Sequence, residues 1–467
     1  MQRPSNSWCK SLLKTHVLLF ANLIAIVLGL LLGLSLRHVK PSSDAIMWIG
    51  LWGELFIRMV KLLILPIVTV NLILGVCSLE AQGSGRMGVA SLAYIMITQV
   101  IGCCIGIALG MIIRPGAKLV DGKQFQLPDQ HTNYADVFAD LLRNCIPTNI
   151  IEAAFQQVRT ERRFSVINAT FNISIEETKL SIQTGMNTIG LAIFSIVFGF
   201  GVLAVGDVAR PLVNVLTGIN AVIFWCFKLI TWYSPLGITS LIAASILRVE
   251  DLGGAMQSLG LLVLCTFLGV LIHSFLIMHP LYFLVTRKNP YKYHLSFLDG
   301  MLAAFSPPSS AASMPYLFKD LEERMKLDKR VTKFFIPVAV TLNRDTSVMF
   351  ICVAAIMVAQ TFRVSLGAAR LIAMIFLVSA SSCAIAVVPS SSVVLLLMLS
   401  GILQIPIAER LGLIMAVEWI TDRIRTVGNV TSTAFGCGVL EKLLEKQLQK
   451  HPEGEDKPQE DLHVELD

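Results

Sequence analysis

The chain has 467 residues, of which 54% are hydrophobic and only 15% charged, and its mean hydropathy is +0.69. These values are untypical of soluble globular domains and indicate a membrane protein with room for about eight spans. The formal net charge of +6 is spread along the chain and does not suggest nucleic-acid binding. The cysteines show no metal-ligand spacing and sit mostly within apolar runs.

Apolar stretches of the first half predict the first membrane spans. They lie near residues 17–36, 46–78, 87–113, 186–205, 209–247 and 255–286. Several exceed the roughly 20 residues needed to cross a bilayer, so we expect tilted or broken helices. The basic start, with Arg3, Lys10 and Lys14, leads into a span too long for a typical signal peptide. It predicts a cytosolic N-terminus over residues 1–16, followed by three spans over 17–113.

A long polar stretch at 114–185 interrupts the apolar pattern. It contains two adjacent acceptor sequons, at Asn168 and Asn172, which predict an extracellular, glycosylated loop. The remaining scaffold spans then occupy 186–247. At the other end, residues 447–467 are polar and acidic-leaning, and they predict a disordered cytosolic tail.

Two apolar segments of the second half are interrupted by serine, proline and other small residues. They read FSPPSSAASMPY, within about 300–318, and VSASSCAIAVVPSSSVV, around 378–393. Such interruptions predict re-entrant hairpins, at about 293–320 and 365–402, whereas two proline-kinked ordinary helices are the alternative. A charged span follows each one, at 332–361 and 408–440. This order is typical of an inverted repeat.

The last of these spans, 408–440, carries charges within an apolar helix. Glu418, Asp422, Arg425 and Asn429 are spaced i, i+4, i+7 and i+11, so they share one helix face. A charge facing lipid at the centre of a span costs about 2.5–3.5 kcal/mol, so these groups must face protein or water. They either neutralise one another and lock helices together, or form a polar solute site at membrane depth. The second interpretation is favoured because ionisable groups inside membranes usually mark substrate pathways.

Span 332–361 has a polar insertion at its middle. Pro337 removes a backbone donor, and Asn343-Arg344-Asp345-Thr346-Ser347 follows. An unwound helix there would expose carbonyls beside Asp345, which suits a hard monovalent cation. The alternative is an Arg344–Asp345 ion pair, although adjacent residues of a regular helix do not face each other.

Motifs along nearly the whole chain resemble those of the excitatory amino acid transporters, the sodium:dicarboxylate/amino acid symporter family. The matching stretches are KLLILPIVTVNLILGVCSLEAQGSGRMG, LLRNCIPTNIIEAAFQQV, WYSPLGI, TRKNPY, DKRVTKFFIPVAVTLNRD and AVEWITDRIRTVGNV. The resemblance implies an all-α membrane protein with eight transmembrane helices, two re-entrant hairpins, a scaffold and an elevator-type transport core at 255–446. It also implies a homotrimeric symporter of L-glutamate or aspartate in the lipid of the plasma membrane. Both termini would be cytosolic, sodium would be the coupling ion, and no enzyme activity or other cofactor is expected.

The same resemblance implies which residues bind substrate and sodium. Arg425 would bind the side-chain carboxylate of the substrate and Asp422 its amino group. A guanidinium donates two parallel hydrogen bonds to a planar carboxylate, and family members that carry neutral amino acids lack this arginine. The other implied substrate contacts are Ser309, Ser310, Ser347, Thr426 and Asn429. The implied sodium ligands are Thr98, Asn343, Asp345 and Asn429.

Several residues depart from the family pattern at the ion sites. Arg344 stands in place of a sodium-contacting methionine, and Thr433 in place of an aspartate ligand. The other departures are Ile95 and Gln99 in the third span, Ile351 at the proton-carrier position, Val387, Ser390 and Ser392 at the second hairpin tip, and Glu418 for aspartate. They predict a transporter with altered sodium coupling. The alternative is a non-transporting relative that acts as an anion-conducting pore or as a regulatory subunit of mixed trimers.

We expect glycans on Asn168 and Asn172. None is expected on Asn429, although Asn429-Val430-Thr431 also matches the acceptor pattern, because this asparagine lies within a predicted span. Endoglycosidase treatment of the cellular protein should shift its gel band, and Asn168→Gln combined with Asn172→Gln should abolish that shift. An unchanged band, or a loop protected from external protease, would contradict the predicted orientation.

Overall fold

The computed structural model describes residues 17–77, 85–119, 134–168, 173–305, 308–382, 392–403 and 405–450. Helices make up most of this part of the chain, and the predicted class, an all-α membrane protein, is confirmed. Six helical stretches among the described residues are long and apolar enough to cross a bilayer. One of them, Ile189–Arg248, contains two predicted spans, and the last long helix carries too many charges to qualify as apolar. These two facts account for the difference from the predicted eight.

The first half consists of long apolar helices and one β-hairpin. The helices are α1 (Val17–Val39), α2 (Ser43–Leu62), α3 (Ile64–Cys77), α4 (Gly85–Ile113), α5 (Tyr134–Cys145), α6 (Ile150–Phe155), α7 (Thr188–Val205) and α8 (Arg210–Arg248). Helices α1 and α2 pack along α8. The α1 residue Arg37 donates hydrogen bonds to the carbonyl oxygens of Ile246, Val249 and Glu250, at 2.6 to 2.8 Å, and so caps the end of α8.

A β-hairpin lies within the segment predicted as an extracellular loop. Strands β1 (Gln156–Asn168) and β2 (Ile173–Thr184) are antiparallel, with Gln156 opposite Thr184 and Asn168 opposite Ile173. Neither strand was predicted from the sequence. The alternation of Val158, Thr160, Phe164 and Val166 with polar residues was the available signal, because β-branched and aromatic side chains favour strands.

The second half contains shorter helices and one very long helix. The elements are α9 (Leu252–Leu271), a π-helix (Ile272–Met278), α10 (His279–Thr286), α11 (Pro290–Ser296), α12 (Leu298–Phe305), α13 (Ser310–Phe318), a second π-helix (Lys319–Arg324), α14 (Lys329–Leu342), α15 (Asp345–Thr361), α16 (Ala368–Ser382), α17 (Ser392–Leu403) and α18 (Ile407–Lys450). The 44 residues of α18 span about 66 Å, roughly twice the thickness of a bilayer core. The helix ends at Lys450, so the first residues of the predicted tail are helical.

Each predicted hairpin corresponds to a pair of contacting helices. Helix α12 packs against α13, and α16 packs against α17. The second tip, with Val387 and Ser390, lies outside the described residues, whereas Ser392 begins α17 and is buried. Both pairs contact α18, so the two interrupted segments of the sequence both meet the charged helix.

Helix α15 forms the centre of the second half. Its residues from Asp345 to Ala359 are buried, and it packs against α4, α9 and α18. The approach of α4 is close enough to require glycine. An added Cβ at Gly102 would overlap the backbone carbonyl of Asp345, and one at Gly106 would overlap that of Met349. The two helix backbones are therefore in direct contact.

We expect Gly106→Ala to destabilise the protein. The new methyl group has no room against the Met349 carbonyl, and overpacking of this kind costs about 1–3 kcal/mol. The matched control is Gly260→Ala in α9, where a Cβ would meet nothing within 4 Å and helix propensity should rise. Thermal denaturation of both variants in detergent should show a lower melting temperature for Gly106→Ala only. Equal melting temperatures would contradict the backbone contact.

Candidate functional site

The candidate site lies where α18 passes the break between α14 and α15. Helix α14 ends at Leu342, and Asn343 has an extended backbone before α15 begins at Asp345. This break is where sequence analysis predicted an unwound helix. It brings the polar residues that follow α14 against the charged face of α18.

Arg425 is the centre of a buried cluster of charges on α18. Its Nη2 atom lies 2.8 Å from Glu418 Oε1 and 2.7 Å from Asp422 Oδ1, while Nη1 lies 3.2 Å from Glu418 Oε2. The guanidinium carbon is 4.2 Å from the centre of the Phe350 ring, which adds a cation–π contact from α15. The predicted common face of these three charged residues is thus observed. The guanidinium of Arg425 thus bonds two carboxylates on its own helix.

The Arg425 side chain keeps hydrogen-bonding capacity. Its Nε atom is buried and has no acceptor among the described residues, and Nη1 donates to Glu418 alone. Two of the five N–H bonds of this guanidinium are therefore unused within the part of the chain that is described. A buried donor without an acceptor costs about 1–3 kcal/mol, and a bound anion would remove that cost.

Asn429 connects the charged cluster to the start of α15. Its Nδ2 atom donates to Ser347 Oγ at 3.0 Å, and its Oδ1 atom accepts from the backbone N–H of Thr346 at 3.0 Å. The Thr346 hydroxyl lies 2.6 Å from the carbonyl oxygen of Arg425. Three predicted substrate residues, Ser347, Arg425 and Asn429, therefore belong to one hydrogen-bonded region.

The other predicted substrate residues are less closely connected. The Thr426 hydroxyl donates to the Asp422 carbonyl oxygen at 2.7 Å, one turn back on its own helix. Ser309 precedes α13 and is half-buried, while Ser310 is buried with a hydroxyl that has no partner among the described residues. No hydrogen bond within the described ranges joins either serine to the Arg425 cluster.

A second buried polar cluster surrounds Asp345. Its Oδ1 atom accepts from the Thr98 hydroxyl at 3.0 Å, and its Oδ2 atom accepts from the Ser432 hydroxyl. The side chain of Asn343 donates from Nδ2 to Ser432 Oγ at 3.2 Å. Three predicted sodium ligands, Thr98, Asn343 and Asp345, are thus close together, whereas Asn429 faces Thr346 and Ser347 instead.

The oxygen atoms of this cluster fit a small hard cation in part. Asn343 Oδ1 is buried without a hydrogen-bond partner in the described part of the chain, and a carboxylate and two hydroxyls lie beside it. Oxygen ligands of this kind suit sodium. The Asp345 carboxylate, however, already accepts hydrogen bonds at both oxygens, and a cation must compete with those donors.

Two residues of the second cluster were missed by sequence analysis. The imidazole of His273 is buried in the π-helix, with Nε2 3.6 Å from Asp345 Oδ2, and Ser432 hydrogen-bonds the same carboxylate. A histidine within an apolar span was the available signal for His273, since ionisable groups are rare there. Ser432 carried no signal, because serine is common in membrane helices.

The departures from the family pattern have distinct surroundings. Gln99 donates to the Leu342 carbonyl oxygen at 2.7 Å and accepts from the Ser382 hydroxyl at 2.6 Å, so it links α4 to α14 and α16. The Thr433 hydroxyl turns back to the Asn429 carbonyl oxygen at 3.0 Å. Arg344 is buried, and Ile351 lies in the apolar core.

Comparison with known proteins gives one family along nearly the whole chain. The model of the sodium:dicarboxylate symporter family matches residues 18–443. Excitatory amino acid transporter 2 of Mus musculus is 33% identical over 462 residues, covering 93% of this chain and 80% of that protein. Excitatory amino acid transporter 3 of Mus musculus is 34% identical over 475 residues, covering 96% and 90%. Neutral amino acid transporter B(0) of Oryctolagus cuniculus is 32% identical over 455 residues, covering 95% and 83%.

Proposed function

We propose that this chain, which belongs to the sodium:dicarboxylate symporter family, carries acidic amino acids, L-glutamate and aspartate, across the plasma membrane. The relatives include transporters named for neutral amino acids, so similarity alone does not decide the substrate. The observation that carries the proposal is the fully buried guanidinium of Arg425, which has N–H bonds left for a further acceptor.

The unused donors of Arg425 and the carboxylate of Asp422 support an amino acid with an acidic side chain. Such a substrate has two carboxylates and one ammonium group. Its side-chain carboxylate fits the unused donors of Arg425, while its ammonium group fits Asp422, which lies on the same face of α18. Together they would add one negative and one positive charge to the cluster. The substrate's other carboxylate, next to the ammonium group, requires uncharged donors, and the hydroxyls of Ser347 and Ser310 are candidates.

We also propose that sodium coupling is weaker than in typical relatives. Thr433 offers no carboxylate and its hydroxyl is bonded to its own helix. The carboxylate of Asp345 is satisfied by Thr98 and Ser432, so a sodium ion would gain less there. Arg344 directly precedes Asp345 in the chain and is buried, and a guanidinium close to an ion site would repel an incoming cation.

The proposal includes the setting in the membrane that the family resemblance implied: a homotrimer with both termini in the cytosol. Exposed apolar side chains along α7 and α8 support contact with lipid or with neighbouring subunits. They include Val197, Val215, Val222 and Trp225, each about 60% exposed in the single chain. Such a surface would be unfavourable in water.

Substitution of Arg425 tests the substrate. Arg425→Cys should abolish binding of glutamate and aspartate and admit neutral amino acids, because a buried carboxylate without its partner loses about 3–5 kcal/mol, or about two to three and a half decades of affinity. Radiolabelled uptake into proteoliposomes, with glutamate, aspartate, serine and alanine, measures the change.

The control keeps the charge of the cluster balanced. Glu418→Gln alone, and combined with Arg425→Cys, tests whether a loss of uptake reflects leftover buried carboxylates rather than lost recognition. Retained glutamate affinity in Arg425→Cys would remove Arg425 from the site. Absence of uptake by the folded wild-type protein, together with an anion current, would favour the alternative of an anion-conducting pore.

The dependence of substrate affinity on sodium tests the coupling. We expect a flat dependence in the wild-type protein and a steeper one after Arg344→Met with Thr433→Asp, which removes a repelling charge and adds an anionic ligand. The matched control is Arg344→Met with Thr433→Asn, which lacks the added charge. A steep wild-type dependence, with a Hill slope near that of typical relatives, would contradict the proposal.

A further inference from the structure

A mixed-charge pocket lies at the end of the second half, where α10 ends and α18 leaves the bundle. Its volume is about 390 Å³. Four basic side chains line it: Lys288, Lys326, Arg330 and Lys442. We refer to it as the terminal pocket. None of its lining residues belongs to the substrate or sodium clusters, and it lies at the end of α18 that leads into the predicted cytosolic tail.

Acidic side chains balance only part of the positive charge in the terminal pocket. Asp328 forms an ion pair with Arg330 at 2.6 Å, and Glu445 pairs with Lys442 at 2.5 Å. Glu441 accepts the backbone N–H of Asp328 at 2.7 Å. Lys288 and Lys326 form no ion pair within the described ranges, and both side chains are exposed. Lys288 is near enough to Glu441 and Glu445 to interact with them electrostatically. The four basic and three acidic side chains that line the pocket leave one positive charge in excess, and the two exposed ammonium groups remain accessible to an anionic ligand.

The chain itself supplies a segment of the opposite charge. Residues 451–467 read HPEGEDKPQEDLHVELD, with seven acidic residues and one lysine. They follow Lys450 directly, and Leu448 and Gln449 line the pocket. Arg330 also binds the Leu448 carbonyl oxygen at 3.1 Å, which holds the end of α18 against the start of α14. The acidic segment thus begins at the rim of the pocket.

Length and tethering favour this segment over a free ligand. An extended chain spans about 3.3 Å per residue, so the 17 residues after Lys450 reach about 56 Å when extended, more than the width of a pocket of this volume. A short tether gives an effective concentration in the millimolar range, which compensates for the small contribution of exposed ion pairs. Tyr282 and Met325 add apolar surface, which suits Leu462, Val464 or Leu466.

We propose that residues 451–467 dock in the terminal pocket through Lys288 and Lys326. The docked segment connects the end of α10 and the residues before α14 to the end of α18. This contact does not depend on the transported substrate, so it can fail or succeed separately from the proposed function.

Photo-crosslinking in the full-length protein tests the contact. A p-benzoylphenylalanine placed at Met325, which lines the pocket, should crosslink to peptides from 451–467, identified by mass spectrometry. Reversal of both charges, by Lys288→Glu with Lys326→Glu, should lower the yield about fivefold, as should amide replacement of the seven acidic residues. High salt should have the same effect.

The matched control reverses two charges that do not line the pocket, by Lys292→Glu with Lys329→Glu, and should leave the yield unchanged. Crosslinks that persist undiminished after reversal of Lys288 and Lys326 would overturn the proposal. So would crosslinks confined to lipid or to a second copy of the chain, or no crosslink to residues 451–467.

Discussion

The bidentate contact between Arg425 and Glu418, with Asp422 beside it, is the interaction on which the second half of the structure depends. A membrane helix can carry these charges only if they meet one another away from lipid, because each exposed charge is costly. Helix α15 shields these charges from lipid: the Phe350 ring lies over the guanidinium, and the Thr346 hydroxyl donates to the backbone carbonyl oxygen of Arg425. The helices around α18 are consequently arranged to exclude lipid from one face of it.

The break between α14 and α15 is the complementary constraint. In a continuous helix, Asn343, Arg344 and Asp345 would be buried and the backbone carbonyl groups around them would all be used in helical hydrogen bonds. The break instead turns Asp345 toward Thr98 and Ser432 and leaves Thr346 and Ser347 facing Asn429. One interruption thereby separates two polar clusters, one built on the Arg425 charge and one on the Asp345 charge.

The sequence predicted those features that depend on local spacing. The common face of Glu418, Asp422 and Arg425 follows from the helical repeat, and the break at Asn343 follows from a polar insertion in an apolar span. Contacts between distant segments were not predictable in this way. His273 and Ser432 approach Asp345 from two other helices. The spacing of residues within any one of these three segments does not indicate that contact. The β-hairpin was missed because its charged residues obscured a strand pattern.

The glycines of α4 have a mechanical consequence. Gly102 and Gly106 let the backbone of α4 lie against that of α15, so at these two positions no side chain of α4 separates the two helices. Sliding one helix along the other would drive carbonyl oxygens into Cα atoms, so the pair resists shear far more than a contact made by flexible side chains. Helix α4, the third predicted span, is thus held rigidly against α15 and the polar cluster around Asp345.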